Sequence, residues 1–158
     1  MCFVRGDEAN EIQILKRNLD YTIRALGAAP LRRAWRSALD RLQETLWSDV
    51  LMRQNFTILG AVQFARDIDA LCTLVEMGIP GGGAVFANLV EGIRLLRLPV
   101  SRQESDSEGA GGMTLKEASD RVFTDNAEAK AVLEELGIEG LTPANARHIL
   151  QRRVENSE

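Results

Sequence analysis

Histidine occurs once in this chain and cysteine only twice. A lone His148 excludes any multi-histidine metal centre, and Cys2 and Cys72 are too few for a cysteine-rich zinc cluster. The same scarcity leaves no disulfide framework, so a reducing, cytoplasmic compartment is the expectation. No run of about 18 apolar residues is present, hence no membrane span and no direct membrane insertion are expected. The first ten residues carry two acids and one arginine and lack an apolar stretch, so no signal peptide is read there. An excess of positive charge is missing too. The net charge of −4 and pI near 5.2 disfavour an electrostatic nucleic-acid or anionic-membrane binder.

What is there suits a folded helical domain. The 158 residues are 45% hydrophobic and 27% charged, enough to build one core. Charge is uneven: residues 1–100 carry a net +1, residues 101–112 a net −2 and residues 113–158 a net −3. The middle stretch, Ser101 to Gly112, has no large apolar residue and reads as a mobile polar linker. The expected organisation is a helical bundle over 1–100, that linker, and a C-terminal subdomain of short helices over 113–158 packed on the bundle.

Periodicity supports an all-α fold. Ile12, Leu15, Leu19, Ile23 and Leu26 recur at threes and fours, one helical stripe over about 7–26. Gly27 and Pro30 mark a stop and a new start. Leu31, Trp35, Leu39, Leu42 and Leu46 then predict one helix over 31–54. Thr57 is placed to cap a third helix over 58–77, and Phe56 before it is placed to plug the bundle. The run Gly78 to Gly83 breaks that helix, and a fourth is expected over 84–98, ended by Pro99. Four helices of this kind with short connections predict an antiparallel bundle. Beyond the linker, Thr114 with Glu117 forms a capping box, Asp125 repeats the spacing with Glu128, and Thr142-Pro143 offers a cap and a first-turn proline. Gly137 closes the middle one of these helices. No segment keeps a period of two, so strands are not expected.

Chemistry-bearing patterns are sparse. His148 has no nucleophile or orienting carboxylate that the sequence can place beside it. Cys72 lies on the apolar face of the third helix and reads as a small core residue. Gly81-Gly82-Gly83 lacks the preceding strand and the following Gly-Lys-Ser/Thr of a phosphate loop, and reads as a flexible interhelical hinge. Asp67 and Asp69, with Glu76 nearby, could suggest a metal site. Residues two apart on a helix point about 200° apart, so those two aspartates cannot share an ion from one face. No catalytic residue, cofactor or metal is therefore assigned, and the chain is read as a non-enzyme. A buried carboxylate pair in a cleft would revive an enzymatic reading. The closing segment 136–153, a short helix, a turn and an arginine-bearing helix, superficially resembles a helix-turn-helix. It supports an alternative, a small regulatory nucleic-acid-binding protein, although Glu134, Glu135 and Glu139 would oppose a phosphate backbone.

Two stretches carry a resemblance. The first runs from Leu46-Trp47 to Leu71 and holds the pattern Phe56-x3-Gly60-Ala61-x-Gln63-x3-Asp67. The second runs from Ala127 through Gly137-Ile138 to Arg147-x-Ile149-Leu150-x-Arg152-Arg153-Val154. In this order they resemble the C-terminal region of the RINT/TIP vesicle-tethering family. Members are several times longer, with N-terminal coiled-coil and bundle regions, so the chain is expected to be a C-terminal piece of such a tether. The resemblance implies a helical rod that works without catalysis or cofactor. It implies a role in retrograde Golgi-to-ER transport, peripheral at the endoplasmic reticulum membrane, with an ER SNARE and other tether subunits as partners. It assigns no partner-binding residue. Of the shared positions, Gly60 and Ala61 are expected where two helices approach closely, and Gln63 and Asp67 are expected either to bond one another across a turn or to cap a neighbouring helix end. Gly137, Ile149, Leu150, Arg152 and Arg153 are expected to be structural. An apolar end exposed by the missing length would favour self-association.

Overall fold

Among the described residues, four of the seven α-helices begin where a side-chain oxygen meets the orphan amides of a first turn. The computed structural model describes the backbone of residues 7–101 and 112–156; the greater part of the expected linker, 102–111, and Cys2 lie outside the described residues. In chain order the helices are α1 (Asp7–Ala25), α2 (Ala28–Thr45), α3 (Ile58–Gly78), α4 (Ala87–Leu96), α5 (Leu115–Thr124), α6 (Asn126–Glu135) and α7 (Pro143–Leu150). Thr57 Oγ1 accepts from the Gly60 amide at the start of α3, and Asp125 Oδ1 accepts from Glu128 at the start of α6. Thr142 does the same for Asn145, with Pro143 in the first turn of α7. The capping box of α5 is complete in both directions between Thr114 and Glu117. The fold is all-α, and no strand is formed among the described residues.

Two of the long helices are interrupted. Instead of running to residue 54, α2 passes at Thr45 into a π-helical segment, Leu46–Leu51, whose Met52 amide reaches back five residues to Trp47 O. That wider turn brings Trp47 and Leu51 together against α4, where a Cβ on Gly92 would lie 2.7 Å from Leu51 Cδ2 and 3.5 Å from Trp47 Cζ3. The fourth helix starts late. Gly82–Phe86 form a 3-10 turn, α4 spans 10 residues, and Leu98 falls beyond its end.

The glycine run is an ordered corner, not a flexible hinge. Gly81 takes φ +79, which favours glycine, and the Glu76 carboxylate accepts from the Gly81 and Gly83 amides at 2.7 and 3.2 Å. Gly82 is buried against Val75, whose Cγ1 would be 2.8 Å from a Cβ there. Those two amides hold the Glu76 carboxyl below its ordinary value.

One continuous apolar core joins residues on both sides of the undescribed stretch. Leu51, Phe86, Leu89, Leu95 and Leu96 share it with Leu115, Val122, Val132, Ile149 and Leu150. α4 sits centrally, touching α3, the π segment and α7, while α5 packs on α6 and α7. The Leu115 amide bonds Pro99 O, so the chain leaves and rejoins the described structure at one place. No helix among the described residues is long and apolar enough to cross a membrane.

Candidate functional site

Phe56, which opens the pattern within the first resemblance stretch, pairs with Arg153, next to last in the second. They form an isolated parallel bridge: the Phe56 amide donates to Arg152 O at 2.7 Å, and the Val154 amide donates to Phe56 O at 3.0 Å. Phe56 is buried and stacks on Phe64, with ring centroids 5.5 Å apart.

Arg153 makes the bridge a clasp. Its side chain is wholly buried, an uncommon place for arginine unless its donors are used. Nη1 donates to the carbonyls of Leu96 and Leu98, the otherwise orphaned C-terminal end of α4, and Nε donates to Glu155 Oε2 at 3.0 Å. Nη2 finds no acceptor among the described residues. Glu155 Oε1 in turn accepts from the Ile58 amide at 2.8 Å, in the first turn of α3. Burial works to raise the Glu155 carboxyl, but the Ile58 amide, its own amide and Arg153 outweigh it and hold it below the ordinary range. One arginine and one carboxylate thus tie together the start of α3, the end of α4 and the chain after α7.

The remaining resemblance positions are spread through the scaffold. Gln63 Nε2 donates to Asp67 Oδ1 at 2.8 Å, the first of the two arrangements the spacing allows. Ala61, Ile149 and Leu150 are fully buried. Gly60 departs from expectation: a Cβ there would meet only Thr57 Oγ1 at 3.5 Å and Phe56 Cδ1 at 3.9 Å, so no second helix approaches it. Close approaches fall instead at Gly78, where a Cβ would run into Leu19 Cδ2 of α1, and at Gly92, which sequence reasoning did not single out. Gly137 has φ +64 and ends α6 with the Ile138 amide bonded to Leu133 O, the arrangement that satisfies the last carbonyls of a helix. Arg152 is half-buried, and its Nε lacks a partner among the described residues.

Three further polar fasteners went unnoticed in the sequence because their partners are far away along the chain. Glu91 accepts from the amides of Glu139 and Gly140, pinning the α6–α7 turn to α4. Arg147 donates from Nε to Val122 O and from Nη1 to Asn126 Oδ1, locking the α5–α6 corner. His148 is exposed, and its Nε2 lies 3.0 Å from Met52 O, which fixes the proton on Nε2 in that contact. Arg147 and Arg153, two basic residues of the helix-turn-helix-like segment, therefore spend their donors inside the protein.

Reactive chemistry has little to build on here. The buried polar side chains among the described residues are Thr114, Ser119 and Arg153, with no carboxylate among them. Burial, then the charge of Asp69, pushes the Cys72 thiol up, away from a thiolate. No three His, Cys, Asp or Glu side chains among the described residues gather where they could hold a metal ion.

The described residues form an all-helical scaffold fastened by backbone-directed polar clasps. The family model described as the RINT-1/TIP-1 family matches residues 7–153, and the chain belongs to that family, which is of the tethering-complex type. No curated protein and no solved structure matches it.

Proposed function

We propose that this protein acts in retrograde Golgi-to-ER transport, as part of a vesicle-tethering complex that contacts an ER SNARE and sits peripherally at the endoplasmic reticulum membrane. The observation that carries the reading is the family match over nearly the whole chain. The clasp supports it: Phe56 and Arg153, one from each resemblance stretch, are spent on holding helices together. A tether works by presenting binding surfaces at fixed separations, and it needs stiffness, not a reaction centre. The chain accordingly works without catalysis, cofactor or metal.

Calorimetric titration of the cooperatively melting protein with the cytosolic part of an ER SNARE tests the reading. Saturable one-to-one binding is expected, together with co-fractionation of the tagged chain with ER membranes and its release by salt. A folded sample that gives no heat and stays off those membranes overturns it. Tight, salt-sensitive binding to duplex DNA would favour the nucleic-acid alternative instead.

A further inference from the structure

Beside the Gly81 corner lies an open groove of about 520 Å³, within the range of natural binding pockets. One wall is α2, presenting Arg32 and Arg36; the other is apolar, made by Ile79, Pro80, Ala84 and Val85. We infer that this groove binds an acidic, amphipathic peptide segment of a partner protein, its carboxylates on Arg32 and Arg36 and its apolar side chains on the opposite wall. The groove shares no residue with the clasp, and the inference does not rest on the tethering reading.

Charge complementarity carries the argument. Arg32 and Arg36 are exposed, one helical turn apart, and neither has an ion-pair or hydrogen-bond partner among the described residues. Residues 28–39 hold three arginines and no acid, in a chain whose net charge is −4. The first acid on the same face is Asp40, a further turn along. Glu76, the carboxylate that holds the corner, is committed to the Gly81 and Gly83 amides. A guanidinium pair at this spacing matches two carboxylates one turn apart on a helical ligand, and each contact would be a charge-assisted, potentially forked hydrogen bond.

The apolar wall selects a peptide over a bare anion, and its rigidity favours binding. The corner is held by the Glu76 bonds and by the Gly82 amide on Ile79 O at 2.8 Å, so the groove is formed before a ligand arrives. Little ordering cost then falls on the protein. The concave shape and the acidic remainder of the chain weigh against a flat anionic bilayer as the occupant.

The test is fluorescence polarisation with the full chain and a fluorescein-labelled synthetic helical peptide carrying glutamate pairs one turn apart, alternating with leucines. Saturable binding that weakens with salt is expected, with no binding of the counterpart in which lysines replace the glutamates. The double variant Arg32→Ala/Arg36→Ala should bind ~10-fold or more weakly, while Arg33→Ala, off the groove, should bind like the parent. Ala84→Trp should occlude the apolar wall and abolish binding. Helicity by circular dichroism confirms that each variant is folded, and Arg32→Gln/Arg36→Gln replaces the alanine pair if that pair is not. Equal binding by the arginine variants, equal binding of the lysine counterpart, or no binding of the acidic peptide each overturns the inference. Co-sedimentation with phosphatidylserine vesicles while the peptide stays silent assigns the groove to a membrane surface instead.

Discussion

Among the described residues Arg153 is the one buried charge, and it is buried because three acceptors wait for it. Arg153→Met would keep much of the volume but leave the Leu96 and Leu98 carbonyls and the Glu155 carboxylate without their donor. Removing one partner of such a buried network costs about 3–5 kcal/mol. Chemical denaturation should show that loss, and Arg153→Lys should recover only part of it, because a single ammonium cannot reach both ends of the fork. An Arg153→Met protein as stable as the parent would mean that the clasp contributes nothing net. Two glycines make a second comparison at this scale. Gly92→Ala forces a methyl to within 2.7 Å of Leu51 Cδ2 and should cost about 1–3 kcal/mol through overpacking. Gly60→Ala meets nothing closer than 3.5 Å and sits in the first turn of a helix, so it should be neutral or stabilising by up to about 1 kcal/mol. In thermal melts the Gly92 variant should fall below the parent and the Gly60 variant should stay level with it or rise above it.

At the scale of elements, what was legible in the sequence is what is local. Thr57, Thr114 with Glu117, Asp125 and Thr142 each act on an amide three residues away, so their spacing alone announces the helix starts. The π segment was not legible, because Leu46–Leu51 widens to seat Trp47 and Leu51 on Gly92, a neighbour supplied by another helix. The Gly81 corner was misjudged for a related reason: glycine content speaks for freedom, while the restraint comes from Glu76 five residues earlier. The clasp lay half in view. Phe56 and Arg153 both belonged to the resemblance, but their meeting crosses most of the chain, and Glu155 carried no signal of its own. Acid provides the test of that element. Since the folded Glu155 carboxyl titrates below its ordinary value of 4.5, its contribution is fully present above that value and lost as pH falls through the folded pKa. Melting temperatures followed downward from pH 6 should therefore fall more steeply for the parent than for Glu155→Gln. Parallel curves would show that Glu155 is not coupled to folding.

Across the whole molecule, stability is unevenly shared. The continuous core runs from Leu39 in α2 to Leu150 at the end of α7, whereas among the described side chains of α1 only Leu19 is buried. α1 also borders an apolar cleft of about 230 Å³, where Leu15 and Leu19 face Trp35, Leu42 and Leu74 across a gap and Trp35 Nε1 finds no acceptor. A gap forfeits the dispersion contacts that a packed helix would gain, so among the described side chains of α1 one leucine, seated over Gly78, supplies the main hold. Such an element opens locally at a free energy well below that of global unfolding. Native-state hydrogen exchange should show α1 amides exchanging through local opening, while amides of α4 and α7 exchange only with the whole fold. Ala38 lines the same cleft, so Ala38→Leu should fill part of it and protect α1 by about 1 kcal/mol more, with little change in α7. If α1 instead exchanges at the same free energy as α7, the cleft is no weakness, and the protein unfolds as a single cooperative unit.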